Sequence, residues 1–365
     1  MLLVARGEPG RFDPILSAAD VERLLCETAI RAPALRLVKD GAQLPLREYT
    51  EDIPWRPGAF SGTALVDRVA AEFAAGATLV LQALHLHWRP AALYCRGLEM
   101  ELRCPAQANA YFTPARAQGF SVHHDTHDVF VLQVAGRKRW RVYRPVVDLP
   151  LKDQKWSTEL GDPGAPVADV VLEAGDTLYL PRGWPHEAFT SDEQSLHLTV
   201  GLHPATRLDA LRAALDRCAG DVEFRRSVDL DGALPDDLLA RLAAHLRPDE
   251  VARWLRRRLA AGRRPILDDQ LAQARALEGL TAEDAVERRP TVIAVFEHGD
   301  DRGTSLLFEG KEISFPPRAA QALAAVVAAD GPFTAAQLPG PLDEAGRLVL
   351  VRRLVREGFL RVLAT

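Results

Sequence analysis

Between residues 79 and 202 the chain breaks into short strand-like runs: LVLQAL, ALYCRG, ELRCPAQANAYF, DVFVLQV, RWRVYR, DVVLEAG, TLYLP and SLHLTVGL. Gly, Pro and Asp turns separate them. Many short strands joined by turns predict an antiparallel sandwich or jelly roll and exclude a doubly wound parallel sheet. Helices frame this region on its N-terminal side. Ser17-Ala-Ala-Asp20 has the form of a helix start, followed by Val21, Leu24 and Leu25, and Ala64 to Ala75 reads as a second helix.

Two further stretches differ from the first. Residues 205–285 read almost wholly as helix, with Leu208, Leu211, Leu215, Leu238, Leu242, Leu246, Val251, Trp254 and Leu259 recurring at three- and four-residue steps. Thr206-Arg-Leu-Asp209 and Thr281-Ala-Glu-Asp284 repeat the capping pattern. The stripe of Leu238, Leu242, Leu246 and Trp254 is longer than one helix pair needs and predicts a dimer interface. Residues 286–365 read as a small module: strand pieces TVIAVFEH and SLLFEGKEISF, helices at 318–329, 334–338 and 343–357, and a closing strand at 359–363. That is a winged-helix outline. The expected class is α+β, with a catalytic domain at 1–204, a helical dimerisation segment at 205–285 and a winged helix at 286–365.

The 365 residues allow two or three domains. Apolar content of 47% and charged content of 26% are globular values, and the net charge of −5 offers no excess basic charge to nucleic acid. Residues 291–365 carry nine acidic and eight basic side chains, so direct DNA binding by the winged helix is not expected. No apolar run approaches the ~20 residues of a membrane span. The start, MLLVARGEPGRFDP, does not read as a signal peptide, and the four cysteines have no CxxC spacing. A cytoplasmic protein is expected. Of the 45 basic residues only five are lysines, so a lysine inside a patterned segment attracts attention.

Six of the ten histidines fall between 123 and 203. In Ser121-Val-His123-His124-Asp125-Thr126-His127-Asp128, strand parity would put His123 and Asp125 on one face. The same parity also allows Asp125 with His127. His186, in the loop Leu180-Pro-Arg-Gly-Trp-Pro-His186, supplies a third donor. Two histidines and a carboxylate with open positions opposite form the facial triad of non-haem Fe(II) oxygenases; the bland alternative is polar residues at a sheet end. Downstream, Asp128–Val134 and Lys138–Arg144 form a hairpin about Ala135-Gly136. Lys138 shares a face with Trp140 and Val142, and an inward lysine is costly unless it meets an anion. The distal carboxylate of 2-oxoglutarate is such an anion; a lysine snorkelling at the sheet edge is the alternative. His197 and Thr199 face the same way and read as approaching the pocket; the alternative is that His197 is a buried, hydrogen-bonded histidine.

The runs NAYFTPARAQGFSVHHDTHDVFVLQVAGRKRWRVYRP and VLEAGDTLYLPRGWPHEAFTSDEQSLHLTVGL resemble the JmjC-type ribosomal oxygenases of the cupin-like superfamily. Taken with the helical segment and C-terminal module, the resemblance covers nearly the whole chain. It implies a double-stranded β-helix, iron held by His123, Asp125 and His186, and Lys138 as the partner of 2-oxoglutarate. Asn109 and Tyr111, in Asn109-Ala-Tyr111-Phe-Thr-Pro114, are implied to line the co-substrate pocket. The chain departs from the family at His124, where relatives often have Tyr, and at the additional His127, both expected near the mouth. The implied function is Fe(II)- and 2-oxoglutarate-dependent hydroxylation of a protein side chain, with a ribosomal protein as substrate and a homodimer as the assembly. Tailoring of a peptide natural product, or a non-catalytic cupin-like binding role, are the competing readings.

Overall fold

The computed structural model describes residues 2–228, 230, 232, 234–299 and 303–363. It divides into two units, Met1–Pro204 and Ala205–Thr365. In the first, strands run β1 (Leu3–Ala5), β2 (Leu35–Lys39), β3 (Ala42–Gln43), β4 (Thr50–Trp55), β5 (Gly58–Ala64) and β6 (Thr78–Leu81). They continue as β7 (Ala106–Thr113), β8 (Asp128–Gly136), β9 (Lys138–Val142), β10 (Ala168–Leu172), β11 (Thr177–Leu180), β12 (His186–Phe189) and β13 (Ser195–Leu202). Helices α1 (Ala18–Glu27), α2 (Val66–Ala74) and α3 (Arg89–Leu102) interrupt them.

An eight-stranded sheet, ordered β1-β11-β8-β13-β7-β6-β2-β3, packs against a three-stranded sheet, β10-β9-β12. All of the pairings are antiparallel. Two-residue alternation sorts the side chains. On one face of the large sheet Ala106, Ala108, Ala110, Leu132, Val134, Leu196, Leu198 and Val200 join α1 and α3 in the main core. On the other face Val129, Val131, Leu178 and Leu180 meet Trp140, Val142 and Leu172 of the strands opposite. The same face carries Asn109, Tyr111, His197 and Thr199, so it is apolar at one end and polar where a cavity opens.

Several expectations are corrected. The run ALYCRG is helical: it lies inside α3, where Ala91, Cys95 and Glu99 are buried at four-residue spacing and Glu99 pairs with Arg96. The strand expected over 101–112 begins only at Ala106, after the helix ends. His186 opens strand β12 instead of sitting in a loop. Ser17 and Asp20 do form a reciprocal capping box, as do Thr206 and Asp209. Thr281 and Asp284 make similar bonds but close a turn that leads into a strand, because Asp284 is followed at once by extended backbone.

The second unit contains α4 (Arg207–Cys218), α5 (Leu238–Ala244), α6 (Pro248–Ala261), α7 (Gln270–Gly279), β14 (Ala285–Arg288), β15 (Ala294–Gly299), β16 (Gly303–Phe308) and β17 (Lys311–Phe315). After these come α8 (Ala320–Ala328), β18 (Phe333–Thr334), α9 (Glu344–Arg356) and β19 (Leu360–Val362). Strands β18-β14-β19 form one sheet and β15-β16-β17 another. The 334–338 stretch is a short 3-10 turn at Ala335–Gln337 rather than a full helix. Helix α6 packs Ala260 against Val295 and Leu307, and its Arg253 and Arg257 pair with Glu297 and Glu312. Among the described residues, no helix is long and apolar enough to cross a membrane.

Candidate metal centre and its pocket

His123, Asp125 and His186 converge so that one donor atom from each lies within 4.8 Å of the others. The convergence does not arise from strand parity. Residues 114–127 are irregular, and His123 is held by one isolated antiparallel bridge to His186. Each backbone N–H donates to the other's carbonyl, at 3.1 and 2.8 Å, while the Gly183 N–H donates to the Asp125 carbonyl at 2.9 Å. The two halves of the triad, more than 60 residues apart, are thus joined through their main chains.

The imidazoles are also turned to present nitrogen lone pairs. The Nδ1–H of His123 donates to the Ser121 carbonyl at 2.8 Å, and the Nδ1–H of His186 donates to the Trp184 carbonyl at 3.0 Å. Because a carbonyl only accepts, Nε2 of each ring remains available as a ligand. Nε2 of His186 stands 3.9 Å from Oδ2 of Asp125. Burial, with His123 beside it, lowers the His186 pKa to about 4. The ring is therefore neutral near pH 7, the form a metal requires. Two imidazoles and one carboxylate approaching from one side could hold a single divalent ion with positions open toward the cavity.

That cavity, of about 240 Å³, lies between the two sheets. Gly136, at φ 63°, closes the β8–β9 hairpin in the left-handed region, and a side chain there would strike the Gln194 carbonyl. The hairpin sends Lys138 inward. Only 4% exposed, it donates from Nζ to Thr113 Oγ1 at 2.8 Å, and Thr78 and Thr113 share a hydroxyl hydrogen bond of 3.1 Å. No acidic side chain among the described residues pairs with it, and burial lowers its pKa to about 7. A buried amine that meets only a neutral hydroxyl is set up to receive an anion.

Asn109 and Tyr111 both line the cavity. Asn109 Oδ1 accepts the Ala83 N–H at 2.9 Å, which steadies a residue in the left-handed region. Tyr111 stacks on His197, with centroids 4.9 Å apart, and burial raises its pKa. His197 is itself buried, its pKa lowered by burial and by nearby Lys138, and its ring meets Trp140 edge-on. It is a pocket residue, yet its Nδ1 has no hydrogen-bond partner, so the expectation of a buried, hydrogen-bonded histidine fails on that atom.

The two extra histidines part company. His127 lines the cavity, stacked on His203 at 4.6 Å, where Gly201 leaves room for its ring. It stands outside the metal cluster. His124 leaves the mouth altogether: its Nε2 is bonded to the Gln154 carbonyl and its ring meets Trp156 edge-on. It is buried by the 154–156 segment that covers it. Sequence reasoning missed Thr78, Arg36 and Phe120 as lining residues, and Thr113 as the hydroxyl that holds Lys138. Only the parity of Thr113 with Tyr111 could have signalled any of these.

Residues 84–209 match the JmjC domain family. Over 151 residues the chain is 39% identical to a bifunctional lysine-specific demethylase and histidyl-hydroxylase NO66 of Drosophila persimilis, covering 40% of this chain and 22% of that one. It is 32% identical over 242 residues to ribosomal oxygenase 1 of Gallus gallus, covering 63% and 38%. The chain thus spans only a minor part of these curated relatives. Among solved structures it is similar to ycfD of E. coli at a TM-score of 0.58 and 20% identity, covering 99% of this chain and 95% of that one. It is similarly related to the structure of that ribosomal oxygenase in complex with cobalt and 2-oxoglutarate, at a TM-score of 0.55 and 20% identity over 100% and 95%. Residues 84–209 therefore have the expected cupin-like JmjC architecture, and the chain as a whole shares the mixed helix-and-sheet fold of these solved structures.

Proposed function

From a chain whose residues 84–209 match the JmjC domain, we propose an Fe(II)- and 2-oxoglutarate-dependent oxygenase that hydroxylates a side chain of a ribosomal protein. The observation that carries this reading is the pairing, in one cavity, of a His-Asp-His cluster with a buried lysine that has no acidic partner among the described residues. The substrate class comes from the names of the relatives, which include ribosomal oxygenases. Such a substrate would put the chain in the cytoplasm.

His123, Asp125 and His186 hold the iron, and their carbonyl-anchored rings keep both Nε2 atoms facing it. When bound, iron and 2-oxoglutarate would supply activation of dioxygen, one oxygen atom entering the substrate side chain and the other the succinate left when 2-oxoglutarate loses carbon dioxide. Lys138 and Thr113 take the distal carboxylate. Asn109 and Tyr111 line the co-substrate's path, and Val129, Val131, Trp140 and Leu180 keep its chain away from water.

Two assembly features belong to the same reading. The 205–285 helices dimerise the chain: Leu211, Leu215, Leu239 and Leu255 expose apolar surface, whereas the stripe of Leu238, Leu242, Leu246 and Trp254 is half-buried within its own unit. The 286–365 module is a winged helix used for packing or for a protein partner, since its basic groups are largely paired. Arg361 meets Glu287, while Arg353 and Lys311 meet Glu357.

The test combines iron-dependent succinate release by the purified chain with intact masses of ribosomal proteins from a deletion strain. A ribosomal protein lighter by one oxygen in the deletion strain supports the reading. Succinate release with unchanged ribosomal masses redirects it to a peptide substrate. No release in the presence of iron refutes it in favour of a binding protein.

A further inference from the structure

The pocket holds a second cation that the proposed chemistry has not used. Arg36 sits on β2 between Leu35 and Leu37, which enter the main core, so alternation turns it to the opposite face and into the cavity. Its Nε is buried with no hydrogen-bond partner, and no acidic side chain among the described residues pairs with it. The guanidinium stacks over Phe120 at 5.3 Å, and the Phe120 ring lies 5.7 Å from that of His123. One aromatic ring therefore separates Arg36 from a residue of the metal cluster. Tyr111, whose phenol feels both Asp125 and Arg36, occupies the same end.

Lys138 occupies the other end. On β9, Val142 pairs with His186, and Lys138 lies four residues away, roughly 13 Å along the strand. On the facing sheet, register aligns Arg36 with Val80, Tyr111 and His197, while Thr113, which holds Lys138, is two residues or about 7 Å further along. The cavity thus has a cation without an acidic partner at each end, with the stacked rings of Tyr111 and His197 at the Arg36 end. A single short dicarboxylate satisfies both, which a monocarboxylate cannot do.

We propose that Arg36 is the second carboxylate anchor of this pocket, holding the metal-end carboxylate of a dicarboxylate whose far end pairs with Lys138. The inference rests on the co-substrate reading of Lys138 and adds to it a binding determinant independent of the metal. It follows that the cavity selects dicarboxylates before any ion is bound, and that a dicarboxylate lacking the chelating oxo group also binds.

The experiment is calorimetric titration of the metal-free, full-length protein with glutarate and with butyrate. Wild type should bind glutarate at least about tenfold more tightly than butyrate. Arg36→Gln should weaken glutarate about ten- to hundred-fold, the range for a lost charge-assisted pair, and leave butyrate unchanged. Arg36→Met, which keeps an apolar stem against Phe120, repeats the test should the glutamine variant fold poorly, and Arg36→Lys should recover part of the glutarate affinity. Lys138→Ala should weaken both ligands. Wild-type glutarate affinity in both neutral Arg36 variants overturns the Arg36 assignment alone, as does a wild type that fails to prefer glutarate. Unchanged binding of both ligands in Lys138→Ala overturns the co-substrate reading itself.

Discussion

Replacing Lys138 should move ligand affinity and stability in opposite directions. In the ligand-bound protein its ammonium faces a carboxylate in a dry pocket, and removing one partner of such a pair costs about 3–5 kcal/mol. At about 1.4 kcal/mol per tenfold change, Lys138→Ala should raise the 2-oxoglutarate requirement by two orders of magnitude or more, with iron binding little altered. The pKa sharpens the test. Free Lys138 titrates at about 7 because it is buried, whereas the anion needs it charged. Above pH 7 binding must take up a proton, so the apparent Kd for 2-oxoglutarate should rise by up to about tenfold per pH unit, and below pH 7 it should level off. Lys138→Arg should remove that pH dependence while keeping much of the affinity, because a guanidinium remains charged throughout. The ligand-free protein should show the reverse trend. The unfolded lysine has the ordinary value of 10.5, so the unfolded state binds more protons between pH 7 and 10.5 and stability rises with pH across that window. Lys138→Met should therefore raise the unfolding temperature of the ligand-free protein below pH 7, and the difference should vanish above pH 10.5. Calorimetric affinities and melting curves from pH 6 to 9 read both effects. A pH-independent 2-oxoglutarate affinity in wild type, or normal turnover by Lys138→Ala at low 2-oxoglutarate, would refute the reasoning.

His123→Ala should abolish metal binding and turnover, while His127→Ala should leave iron affinity largely intact because its ring stacks on His203; metal titration of both variants distinguishes the registers. Analytical ultracentrifugation should find a dimer at micromolar concentration, weakened by Leu215→Glu, and a stable wild-type monomer would exclude the interface proposed for the helices. The full chain should bind duplex DNA no more tightly than the roughly 10⁻⁴–10⁻⁶ M of non-specific binders; a tighter, salt-dependent affinity would restore a nucleic-acid role to the C-terminal module.

The spacing of His123 and Asp125, the hairpin that carries Lys138, and the parity of Asn109 with Tyr111 were legible in the sequence because each is a short-range pattern on or beside a strand. Two caps, Ser17 with Asp20 and Thr206 with Asp209, were legible for the same reason: a capping box closes over three residues. Where local pattern and tertiary setting competed, the sequence misled. Residues 92–97 carry strand-like residue types, but α3 buries Ala91, Cys95 and Glu99 on one side, and that burial decided their conformation. Parity suggested a strand for His123 and Asp125, whereas one main-chain bridge to His186 holds them. Arg36 could not be recognised at all. It lies over 70 residues before Asn109 and the residues that follow it in the site, in a run with no motif, and only the pairing of β2 with β6 and β6 with β7 brings it to the cavity. Local chemistry is written in neighbouring residues, but the walls of a pocket come from strands distant in sequence, and their register is fixed by the packing of the whole sheet.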